Sequence, residues 1–139
     1  MTWLSAKTGK TGMESEEILL IEDEVISRKV IADTLTRAGY MVKTCEDGKQ
    51  ALDHLRQHRQ HYRLIILDRL MPVMDGLEFL QKLQQESLLG KTAVIMLTAV
   101  KEHEAIFDAL EAGVHEYLTK PVDPEQLLAL VKEMLEANS

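Results

Sequence analysis

Three features of the sequence predict an α/β fold, a doubly wound parallel sheet built from five strand–helix units. From Glu17 onward, short apolar runs alternate with amphipathic stretches. The runs lie too far apart for hairpins, so successive strands must be joined by crossovers with helices on both faces of the sheet. Polar side chains also gather just after four of the runs, where an open parallel sheet has its functional edge.

Each element has its own warrant. Ile18–Ile21, Leu64–Leu67 and Ala93–Leu97 are nearly continuous aliphatics, as expected for strands covered on both faces. Tyr40–Val42 and His115–Leu118 are shorter and more polar, which suits the two edges. Between the runs the apolar spacing is helical. Ile26, Val30, Ile31 and Leu35 share one face, and Leu77, Leu80 and Leu83 share another. Leu127, Leu128, Val131, Met134 and Leu135 form the strongest stripe. Asp75 with Glu78 three residues on is a capping pattern, and Asp123–Pro124 sets a cap before a proline at the first helical position. Gly39 and Gly113 fall where left-handed helix ends are needed.

Composition narrows the function classes. The 139 residues fit one domain. Sixteen basic against 23 acidic residues give a net charge of −7, which argues against direct nucleic-acid binding. No apolar run approaches the roughly 18 residues of a membrane span, so no membrane role is expected. Cys45 is the single cysteine, and with no internal disulfide available a reducing cytoplasm is the expected compartment. Residues 1–13 lack periodicity and read as a flexible N-terminal tail ahead of a domain over 14–139. The tail's Gly9-Lys10-Thr11 is not a phosphate loop, because position 4 is Leu4 rather than glycine.

The chemistry lies at the ends of the runs. Glu22, Asp23 and Glu24 follow the first, Asp68 the third, Thr98 the fourth and Lys120 the fifth. If the first and third strands are neighbours, Glu22, Asp23 and Asp68 meet. Clustered carboxylates repel, and without a counter-charge one of them takes up a proton. A hard divalent cation and a nearby ammonium both relieve that cost, and carboxylate and carbonyl oxygens suit Mg²⁺. Lys120 supplies a fixed positive charge and Thr98 a hydroxyl. These are the parts for stabilising a phosphoryl group on a carboxylate.

Glu22–Asp23, the run Asp68-Arg69-Leu70-Met71-Pro72-Val73-Met74-Asp75-Gly76, Thr98–Ala99 and Tyr117-Leu118-Thr119-Lys120-Pro121 resemble the receiver domain of two-component response regulators, the CheY-like group. The likeness runs from about Glu16 to Ala137. It implies a flavodoxin-like sheet in the order 2-1-3-4-5, an order for which the family's namesake is itself a standard example. It implies Asp68 as phosphoacceptor, taking phosphate from a histidine kinase or histidine phosphotransfer protein. Asp23, Asp68 and the backbone carbonyl of Leu70 would ligate Mg²⁺, with Glu22 acting through water, although the family often has aspartate at that position. Lys120 would pair with the phosphoryl oxygens, and Thr98 and Tyr117 would act as the switch. The output surface would be the family's fourth helix, fifth strand and fifth helix, acting on a downstream protein target or output domain. A phosphorylation-dependent homodimer is also allowed. The Lys120–Pro121 bond is commonly cis in the family.

Two rival functions fit less well. An aspartate-nucleophile phosphatase would place a second aspartate at position 25, which is Val25. A nucleotide- or flavin-binding domain would want a Gly- or Ser/Thr-rich loop after the first strand, where this chain has three acids. His54, His58 and His61 share a helical face and are expected to be solvated. Cys45 is expected to be a small buried hydrophobe.

Overall fold

The computed structural model describes residues 17–58, 62–71, 73–99, 108 and 110–137. The expected tail at 1–13 lies outside the described residues, as do His61, Pro72 and most of the segment after Ala99. Five parallel strands, β1 (Ile18–Ile21), β2 (Val42–Cys45), β3 (Leu64–Asp68), β4 (Ala93–Thr98) and β5 (Glu116–Thr119), form one sheet in the order 2-1-3-4-5. Four helices are described: α1 (Val25–Arg37), α2 (Gly48–His58), α3 (Gly76–Gln85) and α4 (Pro124–Ala137).

Alternation along the central strands divides the core in two. Leu19, Ile21, Ile65, Leu67, Val94 and Met96 point to one face, where Ala51, Leu52 and Leu55 of α2 and Phe79, Leu80 and Leu83 of α3 cover them. Ile18, Leu20, Leu64, Ile66, Ile95 and Leu97 point to the other, under Ile31 and Leu35 of α1 and Leu127, Val131 and Leu135 of α4. Both faces are therefore dry, which is why β1, β3 and β4 need aliphatics at every position. Cys45 is buried in the first of these clusters, and burial pushes its thiol up to about 11.

The punctuation mostly holds. Asp75 accepts a hydrogen bond from the Glu78 amide at 2.9 Å, and Asp123 accepts one from the Glu125 amide at 3.2 Å. Gly39 and Gly113 take φ values of 99° and 102°, a region that disfavours side chains.

Four expectations need correction. The second strand begins at Val42 rather than occupying Tyr40–Val42; Met41 is exposed, and its carbonyl accepts the Glu17 and Ile18 amides as a lead-in to the sheet. The fifth strand likewise starts one residue later than expected, because the His115 imidazole and amide are bound to the Val94 backbone. On α1, Ile31 and Leu35 are buried, whereas Ile26 and Val30 are 72% and 53% exposed. His54 also departs from a solvated face, since its Nε2 lies 2.7 Å from the Tyr62 hydroxyl.

Candidate functional site

Parallel register brings the site together. Ile21 pairs with Leu67 and Asp68 with Leu97, so Glu22 and Asp68 leave the sheet side by side. Thr98 pairs with Thr119, and the Lys120 amide donates to the Thr98 carbonyl at 2.9 Å. This fixes the start of the loop that carries Lys120, whose bond to Pro121 is cis.

The ammonium of Lys120 bridges the acids, at 3.0 Å from Glu22 Oε1 and 3.2 Å from Asp68 Oδ2. Glu22 is fully buried and Asp68 nearly so, while Asp23 is exposed. One oxygen from each of the three carboxylates falls within 4.8 Å of the others. Hard oxygen donors that close together, two of them buried, fit a divalent cation of the magnesium type.

The electrostatics are unequal. Burial, a hydrogen bond with Glu22 and the charge of Glu22 push the Asp68 carboxyl up to about 7, against the opposing pull of Lys120. For Glu22, burial acts upward too. Its hydrogen bonds with Asp68, Lys120 and the Glu24 amide outweigh that, and the group ends below its usual range. Burial acts to lower the Lys120 ammonium, and the two acids raise it on balance. A proton shared over this cluster therefore rests on Asp68, and the mismatch of two acids to one ammonium is a standing demand for further positive charge.

Other residues from the sequence fall around this core. Thr98 is buried at the end of β4 on the same edge. Leu70 is exposed in the loop after β3. Tyr117 sits within β5 opposite Met96, with its ring packed partly buried against the α2–α3 cluster, so it lies on the sheet face and not among the carboxylates. Gly76 has a sharper role than helix entry: a Cβ there would lie 2.8 Å from the Asp68 carbonyl oxygen and 3.1 Å from Arg69 Cα. Its amide donates to the Arg69 carbonyl at 2.9 Å. The acceptor's backbone and the start of α3 are thus in contact, at a distance only glycine allows.

Sequence reasoning missed three groups. Ser27 Oγ donates to Glu22 Oε1 at 3.1 Å, and the Glu24 amide donates to Oε2 at 3.2 Å. The Arg28 guanidinium donates to the Glu22 carbonyl at 2.9 Å and reaches the Asp23 carbonyl at 3.4 Å. A serine and an arginine in the first turn of a helix that follows an acidic pair are the signal that could have found them.

Residues 18–132 match the family model described as the response regulator receiver domain, and the chain belongs to that family, the receiver modules of two-component signalling. Response regulator RppA of Synechocystis is 39% identical over 117 residues, covering 84% of this chain and 49% of that protein. The phosphate regulon transcriptional regulatory protein PhoB of Escherichia coli is 33% identical over 121 residues, covering 87% and 52%. This chain thus spans about half the length of the curated relatives it matches. The structure of Vibrio cholerae chemotaxis protein CheY4 superposes with a TM-score of 0.78 at 32% identity, covering 87% of this chain and 99% of that one. A Francisella response regulator receiver domain gives 0.81 at 27% identity, covering 90% and 100%. Among the described residues no helix is long and apolar enough to cross a membrane.

Proposed function

We propose that Asp68 is the phosphoacceptor of this receiver, taking a phosphoryl group from a phosphohistidine on a partner histidine kinase or phosphotransfer protein in the cytoplasm. The observation that carries this reading is the Lys120 ammonium held 3.0 Å from Glu22 and 3.2 Å from Asp68 at the sheet's carboxyl edge. An Asp68 carboxylate oxygen attacks phosphorus, the P–N bond to the partner's imidazole breaks, and the electron pair returns to that nitrogen. Lys120 is already in place to neutralise charge on the transferred oxygens, and the buried setting strengthens that effect. Mg²⁺, when bound, supplies the positive charge the acids demand and neutralises phosphoryl oxygens. Asp23, Asp68 and the Leu70 carbonyl would hold it directly, and Glu22 through water.

Once Asp68 carries the phosphoryl group as an acyl phosphate, Lys120 has a new anion to follow. Thr98, at the adjacent strand end, would donate its hydroxyl to the phosphoryl group, and Tyr117 would move inward. The surface so changed includes β5 and α4; the family's fourth helix, expected to complete it, falls largely outside the described residues. This surface would pass the signal to a downstream protein or output domain, or pair two copies of the chain. The chain's own catalysis is limited to gain and loss of this phosphoryl group. An open groove of about 490 Å³ borders the site, lined in part by Ile26, Val30, Pro121, Val122 and Leu127, with Glu24 and Lys120 at its edge. A helix bearing the donor histidine would seat there. A phosphatase of similar layout is disfavoured because position 25 is valine.

The test is incubation of the full chain with a small-molecule phosphodonor and Mg²⁺, read by intact mass. A gain of one phosphoryl group that disappears with EDTA and in Asp68→Asn is the expected result. A gain that persists in Asp68→Asn would reject the assignment.

A further inference from the structure

Glutamate at position 22 is one methylene longer than aspartate, and its carboxylate is nonetheless fully buried. A buried carboxylate must have its lone pairs met, and a longer side chain has an extra torsion to fix. Here Oε1 takes Lys120 at 3.0 Å and Ser27 Oγ at 3.1 Å, and Oε2 takes the Glu24 amide at 3.2 Å. Ser27 is the third residue of α1, a position where a serine hydroxyl ordinarily turns to the backbone. The helix has Glu24 at its N-cap with no side-chain cap bond, yet Ser27 still spends its hydroxyl on the carboxylate. The amide of Glu24 and the hydroxyl of Ser27 grip Glu22 from the helix side. Lys120 grips it from across the site.

We infer that Ser27 is a positioning residue matched to Glu22: its hydroxyl holds the longer carboxylate back against α1, so that Asp23 and Asp68 keep their spacing for the cation. This inference rests on the phosphoacceptor reading for its use, but not for its geometry. Without the hydroxyl, only the Glu24 amide holds the carboxylate on the helix side, against Lys120 and the hydrogen bond with Asp68 across the site. With aspartate at position 22 the carboxylate is shorter by one carbon–carbon bond and falls out of Ser27's reach. The dependence on Ser27 should then vanish.

The experiment is a Mg²⁺ titration of wild type, Ser27→Ala, Ser27→Thr, Glu22→Asp and Glu22→Asp/Ser27→Ala by calorimetry. Side-chain carbon NMR of Glu22 in the metal-free proteins accompanies it. Ser27→Ala should weaken Mg²⁺ binding about ten-fold, the scale at which outer groups act on metal ligands. Ser27→Thr should stay within about two-fold, and Ser27→Ala should add nothing to Glu22→Asp. In metal-free Ser27→Ala, the Glu22 carboxyl resonance should shift and show rotamer averaging. Unchanged Mg²⁺ affinity in Ser27→Ala, or an equal loss in the Glu22→Asp background, would overturn the inference. If no variant, wild type included, binds Mg²⁺ but Glu22 still loosens in Ser27→Ala, the positioning role stands and the phosphoacceptor reading falls. If Glu22 is unmoved as well, both fall.

Discussion

At the amino-terminal rim of the sheet, Arg63 donates to Glu17 at 3.3 Å and to the Leu135 carbonyl at 2.7 Å, joining β1, β3 and α4. At the carboxyl rim, Lys120 faces both Glu22 and Asp68. The amino-terminal rim also satisfies its neutral groups locally: the Thr92 hydroxyl donates to the Tyr62 carbonyl at 2.6 Å, and the His115 imidazole accepts the Val94 amide. The Arg63–Glu17 pair is partly exposed, whereas the Glu22 and Asp68 carboxylates are almost wholly buried. One rim closes the fold. The other holds a charge imbalance that the fold leaves for something else to answer.

Breaking the compensation at the carboxyl rim should have the largest effect. Lys120→Met leaves two buried acids without their ammonium, and removing one partner of such a set is costly. The expected loss is about 3 kcal/mol of unfolding free energy at pH 8, shrinking at pH 5 where Asp68 is protonated, as read by urea denaturation at both pH values.

Relieving the imbalance should do the opposite. The folded Asp68 carboxyl is raised to about 7 from 3.8. Its contribution to stability is therefore full below about pH 4 and is lost as pH rises through 7. Asp68→Asn removes that loss, so the variant should be more stable than wild type by about 2 kcal/mol at pH 8. The gap should fade toward pH 4, and Mg²⁺ should narrow it at pH 8 by stabilising only the wild type. Thermal melts across pH with and without Mg²⁺ would show this; a gap that does not change with pH would count against it.

The smallest effect belongs to the opposite rim. Arg63→Ala should cost about 1 kcal/mol, equally at pH 5 and pH 8, and should leave Mg²⁺ affinity unchanged. A pH-dependent loss there would blur the distinction between the rims.

The two rims were not equally legible in the sequence. The central strands were plain, because burial on both faces demands unbroken aliphatics, and Leu64 to Leu67 could hardly be anything else. The edge strand β2 was misplaced because an edge needs no such run. Lys43 and Thr44 pair with Leu19 and Leu20 as well as any apolar residue would, and the apolar Tyr40–Met41 pair lies just upstream of the strand proper. On α1, helical spacing grouped Ile26 and Val30 with Ile31 and Leu35. A wide apolar stripe does not say which part meets the sheet, and the exposed part lines the groove beside the site.

At the site, Glu22, Asp68 and Lys120 were readable because strand ends in a parallel sheet converge whatever their separation in sequence. Ser27 and Arg28 were not, because their hydrogen bonds reach back five and six residues across the turn into α1. The need for glycine at position 76 was visible only as helix entry. Its cause, the Asp68 carbonyl 2.8 Å from where a Cβ would sit, is a packing fact with no local signature.

Carbon-13 NMR titration of the Asp68 side-chain carboxyl, with and without saturating Mg²⁺, tests most directly whether the carboxyl rim holds an uncompensated acid awaiting positive charge. A midpoint near 7 in the metal-free protein, falling to the ordinary aspartate range or below when Mg²⁺ is added, is the predicted result. A midpoint near 4 under both conditions would mean that Lys120 already balances the acids, and would contradict the account.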